Sequence, residues 1–168
     1  MAFSLTRTIR GLVAPSHRLS ISFWLWRRIL DELRRRGGAR RESGAFLLGS
    51  HCANRGRIVD VQYYDSLDPR CLDTGAVLFD GRRLADLFAY CAQHGLTVLA
   101  DVHTHPGPGP AAQSYIDREN PMIRQVGHAA MIVPHLAMRG DVGLGLFTYH
   151  GGGRWTIERG AMFYRGWL

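Results

Sequence analysis

The decisive stretch reads Asp101-Val102-His103-Thr104-His105-Pro106, then Gly-Pro-Gly-Pro-Ala-Ala-Gln, then Ser114-Tyr115-Ile116-Asp117. It follows the apolar run at 96–100, whose composition predicts a buried strand. His103 and His105 are therefore expected where that strand leaves the sheet. Side chains two residues apart in an extended segment point to the same side, so the two imidazoles can share one ion.

A third ligand is expected from Asp117, the nearest downstream carboxylate. Two imidazoles and one carboxylate make up the protein's share of a catalytic zinc site, which keeps its fourth position for water. Asp101 is an alternative participant, as the acceptor for one imidazole N–H. The competing explanation is a chance His-x-His pair in a chain with eight histidines, but the nearby Pro106, Ser114 and Asp117 argue against chance.

Length and composition favour one domain over residues 1–168, with 1–18 as an N-terminal extension. A chain of 168 residues with 46% hydrophobic content can bury a substantial core. No apolar run reaches the roughly 18 residues that span a bilayer, and the N-terminal region lacks the apolar core of a secretory signal. Three cysteines without a Cys-x-x-Cys pair indicate neither a disulfide framework nor a cysteine zinc site. We therefore expect a soluble, cytoplasmic protein.

The formal charge of +7 comes entirely from arginine, because the chain has 21 Arg and no Lys. Such a surface can attract nucleic acid or an acidic protein. Replacement of Lys by Arg throughout a chain is more often a compositional bias of the genome. Without a stacking-aromatic motif, a nucleic-acid partner is not expected.

The order of predicted elements indicates an α/β fold with a mixed, mostly antiparallel sheet flanked by helices. The first helix should bury a stripe of Phe23, Trp26, Leu30 and Leu33. The second should bury Leu84, Leu87, Phe88 and Cys91. The predicted helices cover 23–36 and 81–93, with a helical segment after Asp117 as far as 127; the predicted strands cover 3–6, 17–22, 45–49, 57–64, 76–79, 96–100, 128–133, 143–149 and 155–159, with turns at 54–56 and 151–153.

The motif residues resemble the JAB/MPN metallopeptidase family, also called JAMM. Its signature is a Glu, then at a distance His-x-His-Pro, then a Ser that two residues separate from an Asp. The match is Glu42, 103–106, Ser114 and Asp117, and the seven residues between Pro106 and Ser114 are one more than usual. The resemblance covers roughly residues 19–149 and implies a single MPN/JAB-like domain of the cytidine-deaminase-like type. The Gly-Pro-Gly-Pro run is expected to absorb the additional residue.

The resemblance implies a role for each matching residue. His103, His105 and Asp117 would hold Zn²⁺, which lowers the pKa of a bound water to about 7. Glu42 would act as general base and acid, although without this context it reads as a solvated charge beside two arginines. Ser114 would hydrogen-bond the developing oxyanion, cap a helix, or do both. The other histidines are expected on the surface or as satisfied core residues: His17, His51, His94, His128, His135 and His150.

The implied reaction is hydrolysis of a peptide or isopeptide bond after the C-terminal tail of a ubiquitin-like protein. The short, single-domain form is similar to bacterial members, so its conjugates and E1-like and E2-like enzymes are the expected partners, with no membrane partner. Processing of a sulfur-carrier protein and a non-catalytic scaffold are the alternatives. An enzyme without lysine would also offer no lysine side chain of its own for accidental conjugation.

Overall fold

The computed structural model describes residues 18–52, 55–73, 77, 79–158 and the backbone of 163–166. The strand predicted at 3–6 lies outside this range. The elements are β1 Leu19–Ser22, α1 Phe23–Gly37, β2 Gly44–Cys52, β3 Arg55–Tyr63, α2 Tyr64–Leu67, α3 Leu84–His94, β4 Thr97–Thr104, α4 Tyr115–Glu119, β5 Ala129–Val133, β6 Gly145–Tyr149, β7 Trp155–Ile157 and β8 Phe163–Gly166.

The described strands form one sheet in the order β7-β6-β5-β4-β2-β3-β1-β8. The pairs β2–β3, β2–β4, β5–β6 and β6–β7 are antiparallel, whereas β1–β3, β1–β8 and β4–β5 are parallel. The predicted α/β fold with a mixed, mostly antiparallel sheet is therefore confirmed. Strand β4 lies near the middle, between β2 and β5, so it is held along both edges.

Helix α1 covers one face of the sheet. The Ser22 side chain accepts a hydrogen bond from the Leu25 N–H at the start of the helix, and Gly38 takes the left-handed conformation at its end (φ 58°). Of the predicted apolar stripe, Trp26, Leu30 and Leu33 are buried and Phe23 is only partly buried. Ile29, which was not in the prediction, is fully buried as well. At 15 residues α1 is the longest described helix, and none in the described part of the chain is long and apolar enough to cross a membrane.

Helix α3 covers the opposite face, where Leu87 and Cys91 pack in a second core with Phe46 and Tyr64. The prediction that Phe88 lies on the inner face is wrong, because its side chain is 50% exposed. One residue along a helix turns the side chain by about 100°, so the position after Leu87 points away from the core.

Three further predictions differ from the structure. Val77 and Phe79, the described part of the strand predicted at 76–79, belong to no strand and instead pack as side chains on the second core. Residues 121–127 form turns because α4 ends before Pro121, whose ring disfavours helix in the preceding residue. Arg55 pairs with Cys52, so residues 55 and 56 begin β3 rather than form the predicted turn.

Glycine is required at the point where β2 begins. Gly44 pairs with His103 of β4. A Cβ atom at Gly44 would overlap the aromatic ring of Tyr64 and lie 2.9 Å from the carbonyl oxygen of Val102. The absent side chain therefore lets Tyr64 pack flat against the start of β2, on the face of the sheet that carries the second core.

We predict that Gly44→Ala lowers the free energy of unfolding by about 1–3 kcal/mol, because the methyl group must displace a fully buried ring or a strand carbonyl. Gly81→Ala is the matched control, since a Cβ there meets no atom within 4 Å. Its effect should stay below about 0.5 kcal/mol. Urea denaturation measures both, and equal stability of the two variants would contradict this packing.

Candidate metal centre

Three potential ligands meet at the end of β4. The Nε2 atoms of His103 and His105 are 3.0 Å apart. The carboxylate of Asp117 faces both rings, with Oδ1 3.3 Å from Nε2 of His103 and Oδ2 3.3 Å from Nε2 of His105. This is the one group of three or more possible metal ligands among the described residues.

The spacing of these atoms fits a small divalent cation. Zinc bonds to histidine nitrogen and carboxylate oxygen measure about 2.0–2.2 Å, so ligand atoms around a tetrahedral ion lie about 3.3–3.5 Å apart. The two imidazole nitrogens are 3.0 Å apart, and each lies 3.3 Å from the nearer of the two Asp117 oxygens, which is close to that value. Three donors also leave a fourth position open, as in catalytic zinc sites. The donor set and its spacing can therefore hold such an ion.

His103 and His105 are held differently. His103 is inside β4, which runs on to Thr104 rather than ending at Ala100 as predicted. His105 lies just beyond the strand, where its N–H donates to Val133 and its carbonyl accepts from Leu136 (both 2.9 Å).

Leu136 belongs to a short 3₁₀ turn, His135–Ala137, whose three residues have positive φ angles of 57°, 51° and 60°. Each costs roughly 1–2 kcal/mol in a non-glycine residue, so this turn stores strain directly beside the site.

Asp117 is positioned by the first turn of α4. The Ser114 hydroxyl oxygen accepts from the N–H of Asp117 (3.2 Å), while Asp117 Oδ2 accepts from the N–H of Ser114 (2.6 Å). This reciprocal capping box fixes the carboxylate toward the imidazoles. The Ser114 hydroxyl proton is not used in this box.

The long segment after Pro106 does not displace Asp117. Residues 106–110 are exposed, and the chain is fixed again at buried Ala111, whose N–H donates to Gly143 (2.9 Å). The longer spacer therefore leaves the Asp117 carboxylate beside both imidazoles.

Glu42 lies beside the group, next to His105. Its Oε1 atom is 3.9 Å from Nε2 of His105, and its side chain is 19% exposed. The adjacent Ser43 is buried and bonded to β4: its N–H donates to the Thr104 hydroxyl (3.0 Å), and its carbonyl accepts from the Thr104 N–H (2.9 Å). No ion pair between Glu42 and an arginine is found among the described residues. Glu42 is thus fixed beside the histidines by its neighbour.

Comparison with known proteins identifies the family of this chain. The model of the family Prok-JAB, prokaryotic homologues of the JAB domain, matches residues 25–141. The chain belongs to this family. The match runs from α1 past the 3₁₀ turn His135–Ala137, so it includes Glu42, both histidines and Asp117.

Two solved structures resemble the Prok-JAB domain described here. One is the solution structure of a protein from Desulfitobacterium hafniense, with a TM-score of 0.65 and 16% identity over 88% of this chain and 93% of that one. The other is a solution structure from Salinibacter ruber, with a TM-score of 0.51 and 22% identity over 87% and 90% of the two chains. At these identities the likeness concerns the fold.

Charge is concentrated at the ligand group of this Prok-JAB domain. Burial would raise the pKa of Asp117, but the two imidazoles outweigh it and hold the pKa well below its usual range. Burial likewise opposes protonation of His103, yet the carboxylates of Asp101 and Asp117 raise its pKa to about 10. Without metal, His103 is therefore an imidazolium beside two carboxylates at neutral pH.

Two residues beside the site carry no signal in the sequence. Tyr64 and His128 both hydrogen-bond the buried carboxylate of Asp101. Tyr64 is 37 positions and His128 is 27 positions away from Asp101. His128 was expected to be a surface or satisfied core residue, and it is a satisfied core residue; only the folded sheet brings it to Asp101.

We predict that the metal-free protein loses stability as pH rises from 7 toward 9. The His103 pKa of about 10 in the folded state exceeds the value near 6.5 of an unfolded chain. Its contribution is therefore complete below pH 6.5 and is lost as pH approaches 10, with a slope of at most about 1.4 kcal/mol per pH unit. Urea midpoints measured with a chelator test this prediction. His103→Gln is the control; an identical pH slope in both proteins would contradict it.

Proposed function

We propose that this Prok-JAB domain is a zinc-dependent peptidase that cleaves the bond after the C-terminal tail of a ubiquitin-like protein. The observation that supports it best is the group of His103, His105 and Asp117 at 3.0–3.3 Å, with Glu42 3.9 Å from His105. A scaffold has no need of four converging ionisable side chains, one of them in a capping box that aims it. The family assignment alone fits either role.

Zinc in this site would supply Lewis acidity and lower the pKa of a water molecule from 15.7 to about 7. The residues that would hold it are His103, His105 and Asp117. All are at least four-fifths buried as side chains, which strengthens their electrostatic interactions with a cation.

Glu42 is the proposed general base and acid. Its carboxylate takes a proton from the attacking water and later gives a proton to the departing amine. Three features suit this role: a distance of 3.9 Å to His105, partial exposure, and a backbone pinned through Ser43. A carboxylate that was itself a close ligand could not exchange protons so freely.

Ser114 is the proposed oxyanion donor. Its hydroxyl oxygen accepts the N–H of Asp117, and its proton, which is within reach of the Asp117 carboxylate, would turn to a carbonyl oxygen on the substrate. Capping and oxyanion stabilisation therefore use different parts of one hydroxyl group, and both roles can hold together. Loss of one such donor typically slows a reaction about 100- to 1,000-fold.

The surface beside the ligands suits an extended polypeptide. Tyr115 and Ile116, next to Asp117 in α4, are 71% and 50% exposed. Exposed apolar side chains beside a reacting centre suit a tail whose own residues are partly apolar, and a terminal diglycine allows close approach of its backbone. Such a substrate would be presented by its conjugates or by E1-like and E2-like enzymes in the cytoplasm.

The arginines favour a protein partner over nucleic acid. Several are already engaged: Arg35 and Arg36 bond Glu32, and Arg82 bonds Asp80. These short-range pairs reduce the field available to a phosphate backbone. The remaining positive charge would attract an acidic protein.

We predict that Glu42→Gln lowers the rate of cleavage about 10²- to 10⁴-fold and leaves zinc binding intact, because the amide cannot accept the proton but is no ligand. The assay follows a zinc-loaded protein with a fluorogenic amide on the C-terminal diglycine of a ubiquitin-like protein. Glu119→Gln, a change of the same type at the end of α4, is the control and should be neutral.

Two outcomes would contradict the proposal in different ways. Wild-type cleavage by Glu42→Gln would show that another group moves the proton. Absence of zinc binding by the wild-type protein, together with tight binding of a ubiquitin-like protein without cleavage, would instead identify a scaffold.

A further inference from the structure

A buried polar cluster lies directly behind the metal centre. It consists of Asp101, Tyr64 and His128, which are 2%, 0% and 6% exposed. The Tyr64 hydroxyl donates to Oδ2 of Asp101 (3.1 Å), and Nε2–H of His128 donates to Oδ1 (2.6 Å). We call these three residues the Asp101 cluster.

A buried carboxylate usually lowers the stability of a protein core. Isosteric apolar residues usually stabilise a protein as well or better, because a buried charge loses its hydration. Here three elements take part: β4 contributes Asp101, α2 contributes Tyr64, and the residue before β5 is His128. A cluster built from three elements around one acid points to a use for that acid beyond packing.

A role for the Asp101 carboxylate is indicated by the neighbouring side chain of His103. Its Nδ1 atom is, among the described residues, the one buried side-chain polar atom with no hydrogen-bond partner. It lies 3.8 Å from Oδ2 of Asp101, about 1 Å beyond hydrogen-bond distance. On the other side of the same ring, Nε2 faces Asp117 and His105.

The chemistry of a metal-binding histidine gives a reason for the position of His103 Nδ1 near Asp101. An imidazole that binds a cation through Nε2 carries its proton on Nδ1, and that proton needs an acceptor. Asp101 and His103 are two residues apart in one strand, so their side chains share a face of the sheet. A small rotation of the His103 ring closes the remaining distance.

We propose that Asp101 is a positioning residue: it accepts the Nδ1–H of His103 and thereby holds Nε2 toward the metal, while Tyr64 and His128 hold Asp101. This inference rests on the proposed function, because it requires that the site binds a metal. It assigns a role to two residues, Tyr64 and His128, that contact no ligand themselves.

The backbone explains why Asp101 cannot move away. It pairs with Phe46 of β2 and with Ala130 of β5, so it is held on both edges of β4. Tyr64 in turn lies against Gly44, where a side chain would overlap its ring. The ring of His103 is therefore the movable part, and a small rotation that brings Nδ1–H to the carboxylate would hold Nε2 toward a bound cation.

The test compares zinc affinity with stability. Zinc dissociation constants are measured by competition with a chromophoric chelator at pH 7.5, for wild type, Asp101→Asn, Tyr64→Phe and Ile29→Val, beside urea midpoints for each. We expect Asp101→Asn to bind zinc about 10- to 100-fold more weakly, the usual effect of losing such a partner. Tyr64→Phe should weaken binding in the same direction but less, because it removes one of the two anchors.

Ile29→Val is the control for a merely structural effect. Ile29 is fully buried in α1 on the opposite face of the sheet, so its shortening should lower the urea midpoint without changing zinc affinity. Zinc binding by Asp101→Asn within twofold of wild type would overturn the inference while leaving the proposed function standing. If Asp101→Asn fails to fold, unchanged affinity in Tyr64→Phe overturns it. Absence of zinc binding in wild type overturns both proposals at once.

Discussion

The pairing of β2 with β4 at Gly44 and His103 is the constraint on which the site depends. It places Glu42, two residues before Gly44, beside the end of β4, from which both histidines project. Because β4 is also paired with β5, the backbone of His103 cannot shift without breaking strand hydrogen bonds, and His105, just beyond the strand, is held by its bonds to Val133 and Leu136. The buried hydrogen bond from the Ser43 N–H to the Thr104 hydroxyl further joins the segment before β2 to the end of β4.

Asp117 reaches this rigid junction from a short helix. Its carboxylate is fixed by the capping box with Ser114, and the exposed residues 106–110 take up the length between them. The strained turn at 135–137 bonds the backbone of His105, and the Asp101 cluster lies beside the ring of His103. Strain and buried charge both oppose stability, and both lie within one or two contacts of the ligands. Such costs are common where a protein preorganises a reactive site.

Much of this could be predicted from the sequence, since the relevant signals are local. The helix over 23–36, the strand leading to the histidines and the capping role of Ser114 follow from patterns within a few residues. The convergence of Glu42 with residues 61 or more positions away was implied by the family motif, not by geometry. Tyr64 and His128 could not have been assigned, because their importance arises from a carboxylate distant in the chain. The apolar run at 76–79 was misjudged because a core-facing loop and a short strand have the same composition.

The central claim is that the imidazoles of His103 and His105 and the carboxylate of Asp117 together bind one zinc ion. A crystal structure of the zinc-loaded protein, with diffraction recorded on both sides of the zinc absorption edge, tests it most directly. The account predicts one strong anomalous peak about 2.0–2.2 Å from both Nε2 atoms and an Asp117 oxygen. A folded protein with no peak at this position, and with the Asp117 side chain turned away from both imidazoles, would contradict it.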